Sequence, residues 1–294
     1  MIAHSHIVIQ GRCLTPALIE RAAALAGATS IERRGACTVR LSGLAVFPGS
    51  AGRQRLRDLC DMARADIGFI SRPRPLEQYR LAVMDMDSTL ISIDCIDEIA
   101  DLQGLKPEVS AITAAAMRGE LDYPESLRRR VALLRGLPVA ALEQVYVERL
   151  RLSPGAEIML AGFAAAGLKT LLVSGGFTFF TERLRQRLGL DETRANTLGM
   201  DNGKLSGAVI GEIVDAGVKR RELLAACARL GADPADAIAI GDGANDLAMM
   251  DAAGVSIAYH AKPVVRQQAT HAISHNGLDA VLPLFDHSPL DHSP

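Results

Sequence analysis

Three short stretches of the sequence carry side chains that suit phosphate chemistry, and each follows a short apolar run. Residues 85–89 read Asp-Met-Asp-Ser-Thr, residues 174–176 read Ser-Gly-Gly, and residues 241–246 read Gly-Asp-Gly-Ala-Asn-Asp. A single Asp-x-Asp pair would be weak evidence, because such residues commonly cap helices and form turns. Three clusters at the ends of predicted buried strands indicate one functional centre, because the fold would bring them to one edge.

Carboxylates from two strands can hold a hard divalent cation, and Mg²⁺, which is small and retains water, suits such a site. The cation would offset the repulsion between a phosphate group and Asp85, which can then act as nucleophile and form an acyl phosphate. Asp87 can protonate the departing oxygen and later activate water. Ser174 and the backbone N–H groups of Gly175 and Gly176 can hold phosphate oxygens, because glycine lets the main chain approach closely.

A cationic side chain is needed as well, and Lys219 is the candidate. It lies after a predicted β-flap and before the next predicted helix. Its position alone is weak evidence, because most lysines are solvated and two further cations, Arg220 and Arg221, follow it directly.

The elements that must position these groups alternate between strand and helix from residue 79 onward. Residues 81–84 and 237–240 are short continuous apolar runs, typical of parallel strands buried on both faces, and residues 168–173 repeat that pattern apart from Lys169 and Thr170. Helical segments separate them, so we predict an α/β domain with a mostly parallel sheet. In such a sheet the functional groups gather at the carboxyl ends of the strands.

Two insertions interrupt this alternation. Residues 96–152 contain no convincing strand but show helical periodicity, including residues 140–150, which predicts a helical cap over the strand ends. Residues 198–209 contain Asn202 followed by Gly203. Asn-Gly is a strong hairpin-turn signal, so we expect a small β-flap there.

The first 70 residues predict a separate small α+β unit. Its predicted strands are residues 6–10, 37–41 and 66–70, and its predicted helices are residues 16–26 and 53–64, with a loop at 49–52. Residues 71–75 contain two prolines and are interpreted as a linker, because proline interrupts both helix and sheet.

Composition argues against several other classes of function. The chain has 294 residues, of which 49% are hydrophobic, and a formal net charge of −2, so no nucleic acid or anionic membrane is expected as partner. Five scattered cysteines without Cys-x-x-Cys spacing argue against a disulfide framework or a thiolate zinc site. Without a signal-peptide pattern or an uncharged apolar stretch of roughly 18 residues, a cytoplasmic protein is expected. The Asp-His-Ser-Pro repeats within residues 286–294 predict a disordered end.

At its chemical clusters the sequence resembles the haloacid dehalogenase (HAD) superfamily and, within it, the phosphoserine phosphatase family. Residues 85–89, residues 173–177, Lys219 and residues 241–246 correspond to the four motifs of the superfamily, in order. The match runs from about residue 81 to residue 284. The resemblance implies a HAD-like Rossmannoid parallel sheet with a helical cap.

The same resemblance implies roles for individual residues. Mg²⁺ is expected to be bound by the Asp85 carboxylate, the Asp87 main-chain carbonyl and Asp242, with support from Asp246. Lys219 is expected to pair with the nucleophile and the phosphoryl group.

The cap segments 95–100 and 126–131 resemble those of the phosphoserine phosphatase family. Arg130 could clamp a substrate carboxylate with a bidentate pair. The full set of implied substrate contacts is Asp94, Met117, Tyr123, Arg130, Ser174, Gly175, Gly176, Lys219 and Asn245. Met117 and Tyr123 would form an apolar lid. The sequence departs from the family at Asp94, where Glu usually meets the substrate ammonium, and at Tyr123, where Phe is expected.

Two domains are expected from these patterns. Residues 1–75 would form an ACT-like regulatory or dimerisation domain, and residues 76–294 a HAD-like phosphatase domain with its cap at about 95–152. The ACT-like resemblance rests on element order and position, without a sharp motif. Such a unit could bind an amino-acid effector such as serine, mediate a homodimer or add structure only.

The expected activity is hydrolysis of O-phospho-L-serine to L-serine and phosphate, the last step of L-serine biosynthesis. Two alternatives stay open. A phosphotransferase, or a phosphatase for another small phosphomonoester, would use the same motifs. A non-catalytic amino-acid sensor built on the N-terminal unit is disfavoured by the complete acidic set.

Overall fold

Two β-sheets organise the protein in this computed structural model, which describes residues 5–286. The smaller sheet belongs to the first 70 residues and the larger sheet to the rest of the chain. Within residues 5–286, no helix combines the length and the apolar character that crossing a membrane would require. Apart from Asp286, the predicted disordered tail lies outside the described residues.

The N-terminal unit follows the order β-α-β-β-α-β. Its elements are β1 (His6–Gln10), α1 (Pro16–Ala26), β2 (Ser30–Arg33), β3 (Thr38–Ser42), α2 (Ser50–Met62) and β4 (Asp66–Ile70). The strands pair antiparallel in the order β2-β3-β1-β4. The predicted bounds of β1, α1 and β4 are confirmed. The prediction of a loop over residues 49–52 was wrong, because α2 already begins at Ser50.

Local sequence explains why α1 has these bounds. The Thr15 side chain accepts a hydrogen bond from the Leu18 N–H, and Pro16 occupies the first helical position, where no N–H is needed. Gly27 ends the helix in the left-handed conformation with φ of 64°. The apolar face of the helix joins the same core cluster as Ile7 and Ile9 of β1, which are fully buried.

The larger domain contains a seven-stranded sheet within the described residues. Its strands are β5 (Leu81–Met84), β6 (Lys169–Phe177), β7 (Glu192–Asp201), β8 (Lys204–Ile210), β9 (Ala237–Gly241), β10 (Val255–Tyr259) and β11 (His271–Ile273). The order is β11-β10-β9-β5-β6-β7-β8, and every pairing is parallel except that of β8 with β7. The prediction of a mostly parallel sheet is confirmed.

Helices connect these strands. They are α3 (Cys95–Leu102), α4 (Lys106–Met117), α5 (Tyr123–Leu133), α6 (Ala140–Gln144), α7 (Ala156–Ala165), α8 (Thr178–Leu188), α9 (Ala216–Leu230), α10 (Leu247–Ala252) and α11 (Pro263–Gln268). Helices α3 to α6 fill the segment in which a helical insertion was predicted.

The predicted hairpin at Asn202-Gly203 is confirmed, but it does not form a separate flap. Asn202 and Gly203 have φ of 48° and 75°, as a two-residue turn between twisted strands requires. The first strand of the hairpin, β7, also pairs with β6 and so belongs to the main sheet. The hairpin is therefore an extension of that sheet.

The N-terminal sheet packs directly on the larger domain. Alternation along the strands sends Val8 and Ile70 to the face opposite α1, where they join an apolar cluster with Leu282 and Leu284. At the edge of this contact Asp66 is buried, and its carboxylate accepts hydrogen bonds from the backbone N–H groups of residues 274–276 and from the Asn276 side chain at 2.7–3.2 Å. The two units thus share apolar and polar contacts.

Asp66→Ala is expected to lower the free energy of unfolding by about 3 kcal/mol, because several partly buried N–H donors lose one buried acceptor together. Urea unfolding of the full chain measures the change. Asp58→Ala is the matched control, because Asp58 is exposed on α2 and bonds only to Gln54 in the hydrogen bonds described. Equal losses in the two variants would contradict the assignment.

A buried histidine at the same interface should make stability depend on pH. Burial, and secondarily the positive charge of Arg57, lowers the pKa of His271 to about 4. The unfolded chain therefore binds a proton near pH 6.5, which the folded protein does not bind until about pH 4. This difference should cost about 3 kcal/mol of stability as pH falls from above 6.5 to 4. His271→Leu should show a shallower acid loss in urea unfolding, and parallel curves would contradict this expectation.

Candidate active site

Asp85 lies at the carboxyl end of β5, in the centre of the sheet. The strand residues before it are all buried, as expected for a strand covered on both faces. The chain then turns sharply over residues 86–90, where Ser88 adopts a left-handed φ of 56°. Asp85 accepts a hydrogen bond from the Met86 N–H at 2.7 Å. This turn keeps the carboxylate at the strand end, and Asp85 is only 5% exposed.

Lys219 bridges two carboxylates in the interior. Its Nζ lies 2.7 Å from Asp85 Oδ2 and 2.7 Å from Asp246 Oδ1, and the side chain is fully buried. Burial alone would lower the pKa of Lys219, but the two carboxylates raise it above its ordinary value, so the amine stays charged. Lys219 lies in the first turn of α9, not before the helix as the sequence pattern predicted.

Asp85, Asp242 and Asp246 bring carboxylate oxygens within 4.8 Å of one another. Burial, followed by the charge of Asp246, raises the pKa of Asp85 to about 7, against the opposing effect of Lys219. Burial and the charge of Asp246 also raise the pKa of Asp242. Three carboxylates against one lysine leave two negative charges, which a divalent cation would balance. The cluster therefore fits a divalent metal ion.

Asp87 stands on the cap side of this cluster. Its Oδ1 accepts a hydrogen bond from the Cys95 N–H at 3.1 Å, at the start of α3. Burial is the main reason why the pKa of Asp87 is raised well above its usual value, and the charges of Asp94 and Asp85 add to it. A protonated carboxyl group can donate a proton to a leaving oxygen.

The predicted phosphate-holding segment lies within β6 and not after it, since that strand continues to Phe177. Ser174 is fully buried, and its Oγ accepts a hydrogen bond from the Gly176 N–H at 2.8 Å. A side chain at residue 176 is sterically excluded, because a Cβ there would lie 2.6 Å from Asp87 Oδ2. Glycine therefore lets β6 approach Asp87, in the turn after β5, closely.

The cap contacts the core through Tyr123, at the start of α5. The Tyr123 hydroxyl donates a hydrogen bond to the Gly175 carbonyl at 3.0 Å. Burial raises the pKa of Tyr123 to about 12, so the hydroxyl keeps its proton and remains a donor. Tyr123 is thus a polar link between cap and sheet, a contact that phenylalanine could not make.

The other predicted cap residues are placed as follows. Asp94 caps α3, with Oδ1 accepting hydrogen bonds from the N–H groups of Ile96 and Asp97 at 3.1 and 3.4 Å. Burial and Asp97 raise the pKa of Asp94, while Arg130 opposes the shift. Met117 ends α4 with 71% of its surface exposed. Their contacts with substrate remain predictions.

Arg130 and Asn245 complete the predicted set. Arg130 lies on α5, and its Nε is buried without a hydrogen-bond partner among residues 5–286. Asn245 lies in the short turn between β9 and α10, beside Asp246. Both remain predicted substrate contacts.

Two residues of the site were not predicted. Thr89 is buried, and its hydroxyl donates a hydrogen bond to Asp242 Oδ1 at 2.9 Å, which orients that carboxylate. Its position within residues 85–89 was the feature of the sequence that could have indicated this role. Asn196 is fully buried in β7 and donates to the Gly175 carbonyl at 2.7 Å. Several other residues of β7 are polar as well, so the sequence pattern did not single out Asn196.

Comparison with known proteins assigns the family. A family model described as haloacid dehalogenase-like hydrolase matches residues 79–254. The chain is 57% identical over 214 residues to the phosphoserine phosphatase of Polaromonas sp. (strain JS666 / ATCC BAA-500), covering 71% of this chain and 91% of that protein. The chain belongs to the phosphoserine phosphatase family of HAD-like hydrolases. The family resemblance seen in the sequence is confirmed.

Solved structures support the fold of this HAD-like hydrolase. A HAD family hydrolase from Salmonella enterica subsp. enterica serovar Typhi superposes with a TM-score of 0.89 at 33% identity, covering 97% of this chain and 99% of that one. A phospho-aspartyl intermediate analogue of phosphoserine phosphatase superposes with a TM-score of 0.66 at 37% identity, covering 71% and 99%. The HAD-like α/β fold is therefore confirmed.

Proposed function

We propose that this protein hydrolyses O-phospho-L-serine to L-serine and phosphate, through a phosphoryl group carried on Asp85. The observation that carries the proposal is the buried Asp85–Lys219 pair at 2.7 Å, placed beside Asp87 at the carboxyl edge of the sheet. Amino-acid sensing without catalysis does not require a buried carboxylate paired with a buried lysine. The similarity to proteins known as phosphoserine phosphatases supports phosphoserine as substrate and hence a role in completing L-serine biosynthesis.

The first half-reaction transfers the phosphoryl group. A carboxylate oxygen of Asp85 attacks phosphorus, and the bond from phosphorus to the seryl oxygen breaks. Asp87 gives its proton to that oxygen, so L-serine leaves as an alcohol.

The second half-reaction releases phosphate. Asp87 takes a proton from one water molecule, whose oxygen attacks phosphorus, and the bond from phosphorus to Asp85 breaks. Both carboxyl groups then return to their starting states. Closure of the cap would exclude other water during these steps.

Charge stabilisation comes from groups placed around the phosphoryl position. Lys219, the Ser174 hydroxyl, the N–H groups of Gly175 and Gly176, and Asn245 would contact phosphate oxygens. We propose Mg²⁺ as the divalent ion. Its ligands would be Asp85, the Asp87 main-chain carbonyl, Asp242 and Asp246. When bound, it supplies positive charge against the transferring phosphoryl group.

The cap would recognise the amino-acid part of the substrate. Arg130, whose Nε is buried and has no hydrogen-bond partner in the described part of the chain, is available for the carboxylate. Asp94 uses Oδ1 to cap α3, so the ammonium contact would fall to Oδ2. Met117 and Tyr123 would form the lid.

Arg130→Met is expected to raise the KM for phosphoserine about 30-fold, because a charge-assisted pair worth about 2 kcal/mol is lost. Hydrolysis of p-nitrophenyl phosphate, which has no carboxylate, should change little. Arg128→Met is the matched control, because Arg128 is exposed on the same helix. A parallel loss with both substrates would contradict the assignment to carboxylate recognition.

A phosphate-release panel tests the proposed function as a whole. Phosphoserine, phosphothreonine and a sugar phosphate are compared with and without Mg²⁺, each with and without added L-serine. We expect Mg²⁺-dependent release with phosphoserine preferred. Preference for another phosphomonoester, or transfer of the group to an added hydroxyl acceptor, would overturn the substrate proposal. Binding of L-serine without any turnover would favour a sensor.

For the N-terminal unit, residues 1–75, we propose an ACT-like domain that takes part in a homodimer and could bind an amino-acid effector. Its β-α-β-β-α-β order supports this, and edge strand β2 is exposed along its whole length and can pair with a second copy. Sedimentation with and without L-serine tests both points. A monomer that does not respond to serine would contradict them. A cytoplasmic location remains a prediction.

A further inference from the structure

Asn196 is fully buried in β7 and belongs to none of the four motifs. Its register partner is Phe177, at the end of the phosphate-holding segment of β6. Pairing is irregular just before this point, because β6 advances from Val173 to Phe177 while β7 advances only from Arg194 to Asn196. Residues 174–176 therefore leave the regular ladder, and their backbone groups need other partners.

The Asn196 amide supplies one of these partners. Its Nδ2 donates to the Gly175 carbonyl at 2.7 Å, and the Tyr123 hydroxyl donates to the same oxygen at 3.0 Å. Because a peptide unit is planar and trans, the Gly176 N–H points to the opposite side from that carbonyl. On that side it meets Ser174 Oγ, close to Asp87. Anchoring the carbonyl thus directs the N–H to Ser174 Oγ and so orients that hydroxyl beside Asp87.

The other end of the same side chain reaches the lysine helix. Asn196 Oδ1 accepts a hydrogen bond from the Val214 N–H at 2.8 Å. Val214 is followed by Asp215, whose side chain caps α9 by accepting from the Val218 N–H at 2.8 Å. Lys219 directly follows Val218 and lies in the first turn of α9. One buried amide therefore joins the phosphate-holding strand to the segment that places Lys219.

We propose that Asn196 is a positioning residue for phosphoryl transfer. It holds the Gly175–Gly176 peptide with its N–H on Ser174 Oγ, which leaves the proton of that hydroxyl free for a phosphate oxygen, and it fixes the peptide relative to the start of α9. That Asn196 assists phosphoryl transfer rests on the proposed function, whereas its hydrogen bonds do not. Tyr123 adds to the anchor from α5, whereas Asn196 acts from within the sheet.

Asn196→Asp tests the roles of the two ends of the side chain separately. The carboxylate can still accept from the Val214 N–H, but its other oxygen repels the Gly175 carbonyl that Asn196 had held. With Mg²⁺ at pH 7.5, we expect kcat to fall about 100-fold for both phosphoserine and p-nitrophenyl phosphate. The dissociation constant of inorganic phosphate, from calorimetry, should rise about 10-fold.

The pH profile distinguishes positioning from a general structural role. Buried carboxyl groups protonate more readily than exposed ones, and the introduced carboxyl group, once protonated, can again donate to the Gly175 carbonyl. Activity of Asn196→Asp relative to the unmodified protein should therefore recover as pH falls. Asn196→Leu, which cannot donate at any pH, should show no recovery. Thr197→Ala, at the exposed neighbour in β7, should keep full activity.

Two results would overturn the proposal. One is unmodified turnover and phosphate binding in Asn196→Asp at pH 7.5. The other is a loss that follows the melting temperature alone, with no change in relative activity across pH. Hydrolysis of p-nitrophenyl phosphate but not phosphoserine by the unmodified protein would sink only the substrate proposal. If neither is hydrolysed, phosphate binding decides the role of Asn196.

Discussion

Asp85→Asn is expected to reduce phosphoserine hydrolysis by about 10⁴-fold or more while the fold is retained. An amide cannot form the acyl phosphate, so the covalent route is closed. Stability should not fall, because burial and Asp246 raise the pKa of Asp85 to about 7, and Lys219 keeps Asp246 as its partner in the variant. The neutral amide keeps the shape and removes the repulsion. Phosphate release and thermal melting measure the two effects.

Asp201→Asn is the matched control for this substitution, because Asp201 lies exposed beside the hairpin turn. It should retain full activity. Full activity in Asp85→Asn itself would disprove the nucleophile assignment. Acid quenching during turnover should trap labelled phosphate on the unmodified chain and none on the variant.

Lys219→Met is expected to lose activity by about 10³-fold or more and to unfold more easily by about 3 kcal/mol without metal. The substitution preserves side-chain length but removes the only cation within 2.7 Å of Asp85 and Asp246 among the ion pairs of residues 5–286. Two buried carboxylates would then face each other without compensation. Urea unfolding and phosphate release measure the losses.

The expected response of Lys219→Met to Mg²⁺ separates its two roles. A divalent ion should restore part of the stability, because it offsets the same carboxylates, but little of the activity, because no cation replaces the amine beside the phosphoryl group. Lys204→Met, at an exposed position of the hairpin, should change neither property. Restoration of full activity by Mg²⁺ would contradict a direct role for Lys219.

Where sequence signals were strong, the predicted elements match the structure. Strand β5 was correctly bounded because a continuous apolar run ends abruptly at Asp85. Strand β2 was missed because Ser30–Arg33 is exposed throughout and has no apolar face. The start of α2 was placed too late because Gly52 was interpreted as part of a loop, whereas it lies within the helix.

Among the site residues, too, those with a clear sequence signal were predicted and those without one were not. The carboxyl-edge rule predicted that Asp85, Asp242 and Asp246 would meet, and their oxygens do. Lys219 required the family resemblance, because nothing in its neighbours distinguishes a buried lysine from a solvated one. Asn196 could not be predicted, because its role depends on an irregular pairing between β6 and β7 that no local pattern records.

The Asp66 contact has an evolutionary consequence. Its carboxylate serves the backbone of residues 274–276, and Val8 and Ile70 cover apolar surface of the larger domain. A simple gene fusion would bring an N-terminal unit without these matching groups, and a simple deletion would leave unpaired N–H donors and bare apolar surface. A substitution on either side of this boundary is therefore expected to need a matching group across it.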